Sequence, residues 1–247
     1  MEKRINNVLR SEYYDSRKQL QSILIVLYPF FITSKGYLWS QLSKAARENE
    51  VVLVGGSIPE EEGDKIYNTS FIFSKDGEQI GRHRKVHLFD IDVKGGQRFF
   101  ESDTFTAGDS LTVIDTEYGR IGVQICFDIR FIEWSRLMSL EGAEMIIVPA
   151  AFNMTTGPAH WEISFRARAL DNQLFMIGCA PARDVNGSYV SYGNSIITSP
   201  WGDIIARLDE KEGILIQEIE TEKVKSIREQ LPIMKNRRMD IYNIGLN

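Results

Sequence analysis

Short runs that are apolar at nearly every position, alternating with segments of helical spacing, constrain this chain more than any other feature. "SILIVLY" (22–28), "VVLVGGS" (51–57), "EMIIVPA" (144–150) and "QLFMIGCA" (173–180) are the clearest. A strand without a polar face is covered on both sides, so its sheet lies between other layers. Between these runs, "YLWSQLSKAARENE" (37–50), "RFIEWSRLMSLEGA" (130–143) and "AHWEISFRARALDN" (159–172) read as helices. In the second of them, Phe131, Trp134, Leu137, Met138 and Ala143 fall near one face, and Asp128 stands where it would cap the start. Two hairpins break the alternation: "NTSFIFS" and "EQIGRHRKV" about "KDG", then "LTVIDT" and "IGVQIC" about "EYGR". "NSIITS", "IIARL" and "GILIQEI" (213–219) read as further strands, and "TEKVKSIREQL" as a last helix. Antiparallel hairpins among covered strands argue against a plain doubly wound sheet. A layered α/β fold is expected.

At 247 residues one large domain suffices. A net charge of -5 gives no general pull toward nucleic acid or anionic membrane. The longest apolar run, Ile23 to Ile32, is too short to span a bilayer and contains Pro29. The opening "MEKRINNVLRSEYYDSRKQLQ" has no signal-peptide pattern, and its acids argue against a transit peptide. With Cys126 and Cys179 as the two cysteines, a disulfide scaffold and a cysteine zinc site are both excluded. A cytoplasmic location is the default, mitochondria being the alternative.

The chemistry-bearing candidates are few. Cys126 closes an apolar run and precedes "FD" and a helix start. A thiol there would meet free N–H groups and a helix dipole that favour thiolate, and the same amides would bind an oxyanion. Cys179, inside "MIGCAP", has no acid or base near it in sequence and reads as a core thiol. "GRHRKVHLFDID" (81–92) interleaves charges with Val86, Leu88 and Phe89, and puts Lys85 and His87 on one side of a strand-like segment. A cation facing inward needs a partner or a task. No zinc site is expected of His83, His87 and His160, and no phosphate-binding, dinucleotide or serine-hydrolase motif is present. Residue chemistry alone stops at a candidate thiol in an α/β fold.

Taken together, "LVGGSIPEEEGDKIYNTS", "GRHRKVHLFDID", "FFESDTFTAGDS", "GRIGVQICFDIRF", "VPAAFNMTTGPAHWEISFRARALDNQ", "APARD", "SYGNSIITSPWGDIIA" and "RRMDIY" resemble the nitrilase, or carbon–nitrogen hydrolase, superfamily. The nearest branch is that of the Nit2-type omega-amidases. The resemblance runs in family order from about residue 36 to the C-terminus, with residues 1–35 an atypical segment of a single domain. It implies a four-layer α-β-β-α sandwich, assembled as a homodimer or larger homo-oligomer, with no metal or organic cofactor.

For mechanism, the resemblance implies that Cys126 is a nucleophile that forms a thioester. Lys85 is implied to stabilise the oxyanion, together with the Phe127 amide, and Glu101 to hold Lys85 charged. It implies as substrates the terminal amides of short dicarboxylic acid monoamides, such as alpha-ketoglutaramate and alpha-ketosuccinamate. Deaminated glutathione, nitriles and carbamoyl compounds are the alternatives. The substrate's free carboxylate calls for a cation. Arg130 is the first candidate, Arg84 and Arg166 are weaker ones, and for each of the three a structural salt bridge with Asp128 or Glu162 is an equal reading. Glu162 in "HWE" is a further candidate near the thiol.

One family element is missing. The general-base glutamate, which follows a proline at a strand end, is matched here by Pro29 and then Phe30, and no acid lies between Gln19 and Glu48. Glu60, Glu61 and Glu62 belong to a matching family loop and are poor substitutes. Three explanations stand: an alternative or mis-assembled N-terminus (the favoured one), a paralogue without its base, or another acid, Glu101 being nearest, in the role.

Overall fold

The computed structural model describes residues 23–25, 36–92, 94, 98–187 and 189–246. The Pro29–Phe30 position and the rest of the atypical segment, apart from the backbone of residues 23–25, lie outside them. The described strands are β1 (Ile23–Ile25), β2 (Val52–Val54), β3 (Ile58–Glu62), β4 (Lys65–Phe73), β5 (Gln79–Arg84), β6 (Asp90–Asp92), β7 (Arg98–Phe100), β8 (Val113–Thr116), β9 (Gly119–Val123), β10 (Met145–Pro149), β11 (Phe175–Cys179), β12 (Ile196–Thr198) and β13 (Ile204–Arg207). The helices are α1 (Tyr37–Glu48), α2 (Ile132–Leu140), α3 (Gly157–Asn172) and α4 (Glu222–Gln230).

Two sheets form the body. In the first, β1 runs parallel to β2, β2 and β3 share one edge of β4, and β5 takes the other edge. The second has the order β13-β12-β11-β10-β9-β8, parallel at its centre (β9, β10, β11) and antiparallel at both flanks. β6 and β7 make a separate ribbon beside the site.

The apolar runs explain the layering. Val52 and Val54 of β2 and Ile72 of β4 meet Ile121, Val123, Met145, Ile147 and Phe175 of the second sheet. The intervening residues face the other way. Leu53, Phe71 and Phe73 pack under Leu38, Leu42, Ala45 and Ala46 of α1, while Ile146, Val148 and Met176 pack under Trp134 and Met138 of α2 and Trp161 and Phe165 of α3. Successive residues of β2 and β10 therefore serve two different cores, which is why those runs lack a polar face. Each such side chain contributes about 1.5–3 kcal/mol by leaving water. The result is an α-β-β-α sandwich, as the resemblance implies.

Three local expectations are corrected. Residues 213–219 form no regular strand: Ile214 and Ile216 are exposed, and no strand among the described residues pairs with them. Glu60, Glu61 and Glu62 lie on β3 rather than in a loop, and Glu60 is buried against Arg82, Arg84 and Thr69. Asp128 does not cap α2, which starts only at Ile132; it lies inside a 3-10 turn, Cys126–Arg130, that precedes the helix. Among the described residues, no helix is long and apolar enough to cross a membrane.

Candidate active site

Lys85 is the first residue past β5. Its N–H donates to Asn68 O at 2.8 Å and its carbonyl accepts from Gly108 N–H at 2.8 Å, so the backbone stays tied on both edges. Gly108 has to be a glycine for this approach, since a Cβ there would stand 2.4 Å from Arg84 O. The Lys85 side chain is buried and ion-paired to the buried carboxylate of Glu101. Glu101 opens a 3-10 turn directly after β7. Its Oε2 accepts from Lys85 Nζ and from Phe89 N–H (2.7 Å), and its Oε1 from Asn68 Nδ2 (3.1 Å). An ammonium out of water is tolerable only with such a partner.

Cys126 opens its own 3-10 turn beyond the end of β9, with φ at +47°. That left-handed conformation costs an L-residue about 1–2 kcal/mol. It is held by reciprocal bonds, Asp128 N–H to Ile125 O (3.1 Å) and Ile125 N–H to Asp128 Oδ2 (2.9 Å). As second residue of the turn, Phe127 has an amide N–H with no acceptor inside it, which leaves that donor for an oxyanion.

Burial pushes the Cys126 thiol above its ordinary range. The Lys85 ammonium and the Ala151 N–H pull it back down, while the Glu101 charge adds to the rise. That direction runs against the thiolate expected at a helix end. A five-residue 3-10 turn carries little dipole, α2 begins too late to help, and Glu101 offsets much of the lysine's charge.

Arg130 ends the same turn. Its Nη1 lies 3.2 Å from His160 Nδ1, and its guanidinium stands 4.9 Å from the Phe152 ring centre and 5.8 Å from that of Phe127. Burial lowers its pKa, opposed by the negative form of Cys126. Among the described residues no carboxylate lies within ion-pair distance of it. Asp128 is held by His83 and His87, and Glu162 by Arg166 (3.3 Å) and Arg207 (3.0 Å). Glu162, expected near the thiol, is thus engaged on the exposed side of α3; the charges felt most at Cys126 are those of Lys85, Glu101 and Arg130. The rival cations are also committed, Arg84 to Glu60 and Glu62, and Arg166 to Glu162 and Gly202 O.

Two features were missed from the sequence. Tyr189 donates to Ala151 O at 2.6 Å, and its phenol pKa is raised by burial and by the charge of Cys126. It sits on a segment that folds back along residues 150–153, a placement no local pattern encodes. His83 and His87, four apart in "HRKVH", bind opposite oxygens of Asp128; that spacing was the available signal.

A carbon–nitrogen hydrolase family model matches residues 12–229, starting nearer the N-terminus than residue 36. Omega-amidase NIT2-A of Xenopus laevis is 51% identical over 203 residues, 82% of this chain and 74% of that one. Omega-amidase NIT2 of Homo sapiens is 44% identical over 206 residues, 83% and 75% of the two chains. Among solved structures, Saccharomyces cerevisiae Nit3, described as a member of branch 10 of the nitrilase superfamily, aligns with a TM-score of 0.76 at 42% identity, covering 87% of this chain and 74% of that one. The C. elegans NitFhit protein aligns with a TM-score of 0.81 at 33% identity, covering 86% of this chain and 52% of that one. With its sandwich and its family match over most of its length, the chain belongs to the carbon–nitrogen hydrolase family.

Proposed function

We propose that this chain is an omega-amidase. In this reading, it hydrolyses the terminal amide of a short dicarboxylic acid monoamide, alpha-ketoglutaramate or alpha-ketosuccinamate, through a thioester on Cys126. The observation that carries the reading is the set of charges around one strained thiol: Lys85, balanced by Glu101, and Arg130, which has no acid of its own among the described residues. Relatives named as omega-amidases at 44% and 51% identity favour this substrate class over nitriles or carbamoyl compounds.

The Cys126 sulfur attacks the amide carbonyl as its proton leaves. The oxyanion forms against Lys85 Nζ and the Phe127 N–H. Collapse of the tetrahedral intermediate breaks the C–N bond, and ammonia departs with the proton. Water then attacks the thioester, releasing the acid and restoring the thiol. Arg130 takes the substrate's far carboxylate, a role suited to a forked guanidinium. Both half-reactions need a proton acceptor, because the thiol is un-ionised at rest. Glu101 is the described carboxylate whose charge reaches the sulfur, and its oxygens already accept from Lys85, Phe89 and Asn68.

A second reading rests on Phe30 at the base position and the absence of any acid between Gln19 and Glu48. It is a binding-competent paralogue with slow chemistry, since a positioned base is worth ~10²–10⁴-fold. We also propose that the chain acts as one domain, in a cytoplasmic homodimer or larger homo-oligomer. Ammonia release from alpha-ketoglutaramate, wild type beside Cys126→Ala, tests the function. Turnover abolished in the variant is expected. Equal rates in the two proteins would overturn the amidase reading and leave the second.

A further inference from the structure

Lys85 and Cys126 follow β5 and β9, strands of different sheets, and stand 41 positions apart in the chain. What joins their two segments is Asp128. It stands two residues after Cys126, and its partners, His83 and His87, stand two residues before and two after Lys85. Asp128 Oδ2 accepts from His83 Nε2 (3.0 Å) and Ile125 N–H (2.9 Å). Oδ1 accepts from His87 Nδ1 (2.8 Å) and His87 N–H (2.9 Å). The carboxylate is fully buried, as is His83, whose Nδ1 lies 3.0 Å from Thr112 Oγ1. The His87 ring stacks on Phe131 at 3.7 Å and meets Trp134 edge-on at 5.6 Å, so its orientation is fixed as well. Burying a lone carboxylate is unfavourable by several kcal/mol, and four donors converge to offset that.

We propose that Asp128, gripped by His83 and His87, is a positioning residue that sets the Lys85 ammonium against the Cys126 thiol. One oxygen is tied to each side of Lys85, and one of the same oxygens pins the Ile125 N–H next to the nucleophile. The clamp thereby fixes the distance across which Lys85 acts on sulfur and oxyanion. Misplacement by about 1 Å at such a site costs on the order of 10²-fold. The inference takes its kinetic readout from the amidase reading and its chemical readout from the thiol alone.

The test compares His87→Ala with His87→Asn, both in a Cys179→Ala background so that a single thiol reports. Both variants lose the ring stack, but Asn restores an N–H near the place of Nδ1. Two rates are measured: ammonia release from alpha-ketoglutaramate, and alkylation of Cys126 by iodoacetamide. For His87→Ala we expect kcat and the alkylation rate to fall by roughly 10- to 100-fold with KM within about twofold. His87→Asn should recover most of that loss. Equal losses in the two variants would reduce His87 to packing and overturn the clamp, as would a KM change that accounts for the whole effect. If wild type alkylates in the expected order and releases no ammonia, the clamp stands and the substrate reading falls. If ammonia is released and all variants behave alike, the reverse holds. Should His87→Ala not fold, His83→Gln against His83→Leu repeats the comparison at the other oxygen.

Discussion

Cys126 and Cys179 flank the same strand. One follows β9, the other ends β11, and both strands run parallel to β10 between them. Consecutive residues past β10 even serve the two sites: the Ala150 N–H donates to Cys179 O at 2.9 Å, and the Ala151 N–H reaches the Cys126 thiol. Burial raises both thiols, Cys179 to about 12, with the Ser195 hydroxyl as its opposing partner. Burial therefore does not separate the proposed nucleophile from the other thiol. The separation comes from Lys85, Glu101 and Arg130, whose charges act at Cys126, and from a backbone at φ +47° that turns its side chain out of the strand direction.

The sharpest way to break this contrast is substitution at both positions. Cys126→Ala should lower kcat/KM by ~10³-fold or more, while Cys179→Ala should stay within about threefold. Comparable losses would mean that Cys179 belongs to the chemistry. Next in size is Glu101→Gln, which removes the charge that holds Lys85 and gives the donating Phe89 N–H a weaker acceptor than the carboxylate. A fall in kcat of about 10²-fold is expected in steady-state kinetics; an unchanged kcat would detach Lys85 from the reaction. Replacing Arg130 with Met should raise KM for the ketoacid amides about tenfold with kcat nearly constant, the size of one charged hydrogen bond. An unchanged KM would remove Arg130 from the pocket. The mildest test is pH. Because the Cys126 thiol is raised and still un-ionised at neutrality, its alkylation should accelerate about tenfold per pH unit up to its pKa. Cys179 should stay silent until pH approaches 12. A Cys126 rate that is flat between pH 6 and 9 would show a thiolate already formed and contradict the burial argument.

What the sequence disclosed and what it hid divide along the reach of each interaction. The sandwich was legible in Met145–Pro149 and Val52–Val54, since a strand serving two cores has to be apolar at every step. The same reasoning failed at 213–219, where Ile214 and Ile216 are exposed and no strand among the described residues pairs with the run. Asp128 looked like a cap because local grammar places Asp before helices; it does bind the nearby Ile125 N–H, but its histidine partners come from more than forty positions upstream. Cys126 and Lys85 stood out by residue chemistry and Glu101 by resemblance alone, while the burial and pairing of Lys85 and Glu101 had to come from the fold. Among three arginines the sequence put Arg130 first only because it lies close to Cys126 in the chain, and the fold adds a physical reason, since the carboxylates of Glu60, Glu62 and Glu162 already occupy Arg84 and Arg166.

The left-handed backbone at Cys126 has a consequence for how this chain would change under selection. A residue other than glycine at such a site carries strain that glycine would relieve. If the protein were selected for folding alone, with activity ignored, position 126 should drift to Gly and the thermal midpoint should rise. A library that enriched Gly there among its most heat-resistant members would measure the stability that the cysteine withholds.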